Sequence, residues 1–141
     1  MPIHHNMLGS IPIATERTFV AVADGTLGTQ TLSVHENVLN PEAVVPWHQH
    51  EVEEVIVCIS GLGECTFQGR ASEQYRAGGV LIIPPQTLHT LRNIGAERLI
   101  QFAILGGASP GTKWLDTDGS VSYQVTSGEP DVPGQLLPVP M

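Results

Sequence analysis

Along this chain apolar residues come in short bursts, several of them alternating with polar ones, and turn-forming residues stop each burst. Residues 18–23 and 30–39 are β-branched and partly alternating, a period-two pattern that predicts strands. Asn40-Pro41-Glu42 ends the second run as a turn. Residues 44–50 read as another extended piece, with Pro46 marking a sheet edge or a strand start. Residues 54–59 form the most strand-like segment, and their nearly unbroken apolar character predicts burial of both faces. Residues 64–68 return from the turn that follows, and residues 80–83 form a short apolar run stopped by Pro84-Pro85. Residues 87–93 and 98–105 flank Ile94-Gly95-Ala96-Glu97 and are expected to form a hairpin. No stretch before residue 110 keeps a 3.6-residue period over ten positions, so the expected fold class is all-β.

Three regions follow from this pattern. Residues 1–15 read as an N-terminal arm, 16–110 as the folded barrel, and 111–141 as a Gly/Pro-rich strap or tail. In the tail, Trp114, Tyr123 and Val125 are the expected anchors, either over the barrel or against a second subunit.

Composition narrows the function classes. At 141 residues the chain suits one core, and its low charged fraction of 14% sets it apart from disordered acidic proteins. The net charge is −8 and the six Lys and Arg are scattered, so no basic stripe exists to neutralise phosphates. Neither nucleic acid nor a membrane is an expected partner, and no apolar run is long enough to span a bilayer. The first ten residues lack the features of a signal peptide, which makes the cytoplasm the expected location.

Cys58 and Cys65 flank Gly61-Leu62, and a two-residue hairpin there would place them opposite each other. Two reduced, buried thiols are expected rather than a cross-strand disulfide.

His48 and His50 are two residues apart, which on a strand puts both imidazoles on one face, about 7 Å apart at Cα. Glu54 is too far along a straight strand to share an ion with His48, roughly 20 Å. The chain must therefore turn between His50 and Glu54, placing Glu54 at the start of a neighbouring strand. His35 is expected to be an ordinary strand residue, and His4 and His5 part of the arm.

Here the residues resemble a known family. His48-Gln49-His50, three residues, Glu54, six residues and Gly61 resemble the first motif of the cupins. Gly78, five residues, Pro84, then Thr87-Leu88-His89, three residues and Asn93 resemble the second. Sixteen residues separate Gly61 from Gly78, a short spacer similar to that of small microbial cupins. The resemblance covers roughly residues 38–105. It implies a double-stranded β-helix, a jelly-roll barrel, with one divalent transition metal held by His48, His50, Glu54 and His89. Two positions depart from the family pattern: Glu42 and Gln86 stand where glycines would serve turns.

Three imidazoles and one carboxylate suit Fe, Mn, Ni, Co, Cu or Zn rather than a Mg or Ca cage. By analogy with small cupins, Gln101 and Ala103 are expected to face inward, with Gln101 contacting substrate or a water at the ion. The alternative turns Gln101 outward and fills the barrel with Phe102. With no other His, Lys or Tyr aimed at the site, metal-centred chemistry on a small-molecule ligand is expected, an oxygenase first. A non-redox isomerase or lyase on a sugar-acid-like substrate and a non-enzymatic binding module are the alternatives. A homodimer is the expected assembly.

Overall fold

The computed structural model describes residue 3, residues 16–115 and the backbone of residues 121–125. The arm expected over residues 1–15 and the tail beyond residue 125 lie essentially outside this range.

Among the described residues, eleven strands form two antiparallel sheets. They are β1 (Arg17–Ala23), β2 (Ser33–Leu39), β3 (Val44–His50), β4 (Glu54–Ser60), β5 (Leu62–Phe67), β6 (Glu73–Arg76), β7 (Val80–Ile83), β8 (His89–Asn93), β9 (Leu99–Leu105), β10 (Thr112–Leu115) and β11 (Val121–Val125). The first sheet runs β1-β2-β9-β4-β7 and the second β11-β10-β3-β8-β5-β6. From β3 to β9 the chain passes repeatedly from one sheet to the other, the winding of a double-stranded β-helix. The all-β jelly roll implied by the resemblance is the fold observed.

This winding corrects two local expectations. The turn at Gly61 does not close a hairpin: β4 pairs with β7 and β9, whereas β5 pairs with β6 and β8. Cys58 and Cys65 therefore sit on opposite sheets, both buried and both free thiols. The turn at 94–97 likewise joins strands of different sheets, β8 and β9. Turn residues report that the chain reverses; they do not report which strand it then pairs with. Gly61 is needed at its crossing because its φ is 98° and an added Cβ would lie 2.7 Å from the Arg98 carbonyl oxygen.

The burial expected for residues 54–59 is also corrected. Glu54, Ile56 and Cys58 are buried, while Val55 and Val57 are only half-buried and Ile59 is 48% exposed. A single core between two sheets buries one face of each, and an apolar run alone does not say which sheets have a second cover. β9 alternates in the same way, with Leu99, Gln101, Ala103 and Leu105 buried and Ile100, Phe102 and Ile104 half-buried. Leu39, Ile56, Ile83, Leu99 and Leu105 are the large apolar side chains sealed in the core. Each contributes on the order of 1.5–3 kcal/mol by leaving water.

Pro46 lies inside β3 rather than on an edge strand, and the sheet accommodates it. The β3–β8 register shifts between Val45 and His48, and β10 pairs only with residues 48–50. The missing N–H therefore breaks no ladder bond. The second sheet continues past residue 110 through β10 and β11, and Trp114 is buried there.

Glu42 has φ 69° and Gln86 has φ 57°, the only non-glycine residues with positive φ among those described. Both turns keep the left-handed backbone that glycine would supply, and both bear its strain. Asn93, at the end of the second motif, fixes the following loop. Its amide nitrogen donates to Leu39 O and Glu97 O, and its oxygen accepts from Gly95 N.

Candidate metal centre

Three strands bring the predicted ligands together. β3 carries His48 and His50 on one inward face, and β8 carries His89 directly opposite His48 in the ladder. The His48 and His89 rings stand 4.2 Å apart, centroid to centroid. Residues 51–53 then carry the chain across to the other sheet, so that Glu54, first in β4, faces the histidines. The turn expected between His50 and Glu54 is present, and it leads into the facing sheet.

His48, Glu54 and His89 offer ligand atoms that all lie within 4.8 Å of one another. His50 stands outside this tightest set, with Nε2 3.8 Å from Glu54 Oε1. All four residues are buried.

The orientation of the rings is the informative feature. Nδ1 of His48 is 2.8 Å from Pro46 O, Nδ1 of His50 is 3.0 Å from Gly111 O, and Nδ1 of His89 is 2.8 Å from Thr87 O. A carbonyl oxygen can only accept, so each Nδ1 carries the proton and each Nε2 is left with a lone pair. Thr112 Oγ1 adds a second contact to His50 Nδ1 at 3.1 Å. On the inner side, Glu54 Oε1 and His89 Nε2 are both buried and without a hydrogen-bond partner. Leaving such atoms unsatisfied costs about 1–3 kcal/mol each, more for a charge. A cation between them would satisfy both, so the donor set fits a divalent transition metal.

The electrostatics agree. Burial holds His48 well below the usual histidine value, helped by repulsion from His89 and His50, so its imidazole is neutral at pH 7. Burial pushes the Glu54 carboxyl upward, but the nearby His89, His50 and His35 outweigh it and leave the group below its ordinary value. His48 thus presents a neutral nitrogen and Glu54 an ionised carboxylate, the forms a metal needs.

A cavity of about 20 Å³ adjoins these ligands, enough for a water-sized occupant. Its apolar wall is Phe19, Val45, Ile56, Leu91, Ala103 and Trp114, and its polar wall is His48, His50, Glu54 and Asn37. The Trp114 ring lies 4.7 Å from that of His48, and Phe19 stacks on His35 at 4.4 Å.

Gln101 is fully buried on the inward face of β9, one layer behind this wall. Both ends of its amide are engaged: Nε2 donates to Asn37 Oδ1 at 2.7 Å, and Oε1 accepts from the Tyr75 hydroxyl at 2.8 Å. Asn37, in front of it, was not singled out by the sequence reading. A signal existed in the alternation of β2, where Asn37 shares a face with the apolar Leu39 and is therefore a buried polar group needing partners. Phe19 carried no such signal.

The sequence finds no significant match among curated proteins. A family model described as Cupin domain matches residues 35–104. Oxalate decarboxylase from Bacillus subtilis is 26% identical, with a TM-score of 0.62, over 66% of this chain and 26% of that one. Oxalate oxidase in complex with the substrate analogue glycolate is 18% identical, with a TM-score of 0.72, over 79% of this chain and 62% of that one. An uncharacterized conserved protein with a double-stranded β-helix domain from Klebsiella pneumoniae is 20% identical, with a TM-score of 0.66, over 75% and 90%. The chain spans only about a quarter of the length of the Bacillus oxalate decarboxylase. The two motifs, the two-sheet winding and the family match agree: this chain belongs to the cupin family, with residues 35–104 as its cupin domain.

Proposed function

We propose that this protein is a metal-dependent enzyme for a small, oxygen-rich molecule that chelates the ion, and that it acts as an oxygenase. One observation carries the reading: three imidazoles locked by backbone carbonyls aim Nε2 inward beside a buried, unpartnered carboxylate oxygen. His48, His50, Glu54 and His89 would hold the ion, which when bound supplies redox or Lewis-acid chemistry.

The rest of the cavity supports metal-centred chemistry. Among the described residues its wall offers no acid or base besides the proposed ligands, only apolar groups and one amide. Those apolar walls exclude water and strengthen electrostatics inside. Similarity to oxalate decarboxylase makes small carboxylic acids the first substrates to test.

The deciding experiment loads the protein separately with Fe(II), Mn(II) and Zn(II) and follows oxygen uptake with small chelating acids and diketones. Oxygen-dependent turnover with Fe or Mn only is the expected result. Anaerobic turnover with Zn would replace the oxygenase by an isomerase or lyase. Tight ligand binding without product would make the protein a binding module.

The outer face of the first sheet supports a homodimer. Registered rows Val80–Val57–Phe102 and Ile82–Val55–Ile104 cross three strands, with Val80 59% and Ile82 64% exposed. Sedimentation at the monomer mass would refute that assembly. Free Cys58 and Cys65 fit the reducing cytoplasm expected from the sequence.

A further inference from the structure

Asn37, on β2, is the one polar side chain of the cavity wall besides His48, His50 and Glu54 among the described residues. It is 4% exposed, and its amide is not free to turn over. Asn37 Nδ2 donates to Thr18 O at 2.9 Å, and Asn37 Oδ1 accepts from Gln101 Nε2 at 2.7 Å. Gln101 Oε1 in turn accepts from the Tyr75 hydroxyl at 2.8 Å.

The polarity of this chain has one possible sense. The Thr18 carbonyl can only accept, so Asn37 must face it with nitrogen and face Gln101 with oxygen. Gln101 must then give its nitrogen to Asn37 and its oxygen to Tyr75, whose hydroxyl donates. A single backbone carbonyl on β1 thus orders three side chains that cross from the first sheet to β6 of the second. An amide nitrogen carries two hydrogens, and Thr18 takes one of them. The second is a donor that Asn37 can offer to the cavity.

Tyr75 reaches Gln101 because its partner across the β5–β6 ladder is Gly63. A Cβ there would lie 2.3 Å from Cζ of the Tyr75 ring and 2.6 Å from its hydroxyl oxygen. The missing side chain is therefore a seat for the phenol. Burial pushes the phenol above its ordinary value, which keeps it a donor at all working pH.

We propose that Asn37 orients the bound ligand by donating its second N–H to a ligand oxygen, and that Tyr75, acting through Gln101, is the positioning residue that holds it in that sense. The proposal rests on the metal-dependent reading above and assigns the specificity of that site: ligands with a hydrogen-bond acceptor, such as a carboxylate oxygen, beside the chelating group.

Two measurements test it. In metal-free, ¹⁵N-labelled protein, the Asn37 side-chain amide should give resolved, slowly exchanging signals that shift and exchange faster in Tyr75→Phe. In Zn(II)-loaded protein, calorimetry with oxalate as probe should show about tenfold weaker binding in Asn37→Ala and about threefold weaker binding in Tyr75→Phe, with zinc content unchanged. Gly63→Ala, which pushes the phenol off its seat, should reproduce the Tyr75→Phe result and serves if that variant fails to fold. Wild-type amide signals and oxalate affinity in both Tyr75→Phe and Gly63→Ala would overturn the positioning role. Wild-type affinity in Asn37→Ala would overturn the orienting role. A wild-type protein that takes up no zinc would overturn the metal reading and the ligand role with it, while the amide signals would still decide whether Tyr75 positions Asn37.

Discussion

Oε1 of Glu54 lies 3.4 Å from Nε2 of His89 across the gap between the two sheets, and neither atom has a hydrogen-bond partner. Burial strips both groups of water, a cost that a bound cation would offset. The same two atoms are the ones a cation would join.

This arrangement predicts a specific loss of metal binding. Glu54→Met removes the buried carboxylate at similar volume. Its metal content, by elemental analysis, should fall to background. Wild-type metal content in the variant would remove Glu54 from the ligand set.

His89→Ala and His48→Ala should lower metal affinity by more than about 100-fold, beyond the 10–100-fold typical of an outer-shell partner. His50→Ala tests whether the fourth proposed ligand, which stands outside the tightest set, joins the ion. Metal retention by His50→Ala at wild-type affinity would remove His50 from the ligand set.

The metal-free protein should lose stability on acidification. Burial, with repulsion from His89 and His50, holds His48 well below 6.5. Below that pH the unfolded chain binds a proton on this ring while the folded protein does not. The stability linked to His48 is thus complete above about pH 6.5 and is lost as pH falls toward its folded value. Glu54 acts in the same direction lower down, its contribution present above 4.5 and lost below it. Metal release should follow the same course, since protons compete for Nε2. A Tm that rises from pH 7 to about pH 5.5 in chelator would contradict this account.

The two left-handed turns carry strain that glycine would relieve. Glu42→Gly and Gln86→Gly should each raise stability, by about 0.5–1 kcal/mol after the added flexibility of the unfolded chain is set against the strain. Gln86 also donates its backbone N–H to His50 O at 2.7 Å, a bond that glycine keeps, so metal binding should not change. Denaturant midpoints of the two variants decide the point, and a lowered midpoint at either position would show that its side chain contributes more than its backbone costs.

Neither thiol should react while the protein is folded. Burial raises Cys58, and burial together with Glu54 and Glu73 pushes Cys65 up to about 12, so almost no thiolate exists at pH 7. Iodoacetamide labelling followed by mass spectrometry should mark both cysteines only when denaturant is added. Rapid labelling of the native protein would show an opening that the packed core does not contain.

The sequence by itself determined most of the strand content and pointed to the four residues proposed as ligands. Period-two patterning and turn residues are local consequences of strand geometry, and His48, His50, Glu54 and His89 stand at spacings that can be read directly. It also marked the two strained turns, because Glu42 and Gln86 occupy places where the backbone conformation is fixed by the fold and the side chain is not. Tertiary structure decided what depends on contacts distant in the chain. The partner of each strand after a turn is chosen by the winding, so Cys58 and Cys65, seven residues apart, lie on opposite sheets. Gln101 faces inward, yet its amide is claimed by Asn37, 64 residues away, and by Tyr75, 26 residues away. Which polar group reaches the cavity was therefore set by a hydrogen-bond chain across the barrel. A linear pattern gives the facing of a residue within its strand, but not the partner waiting on the other side.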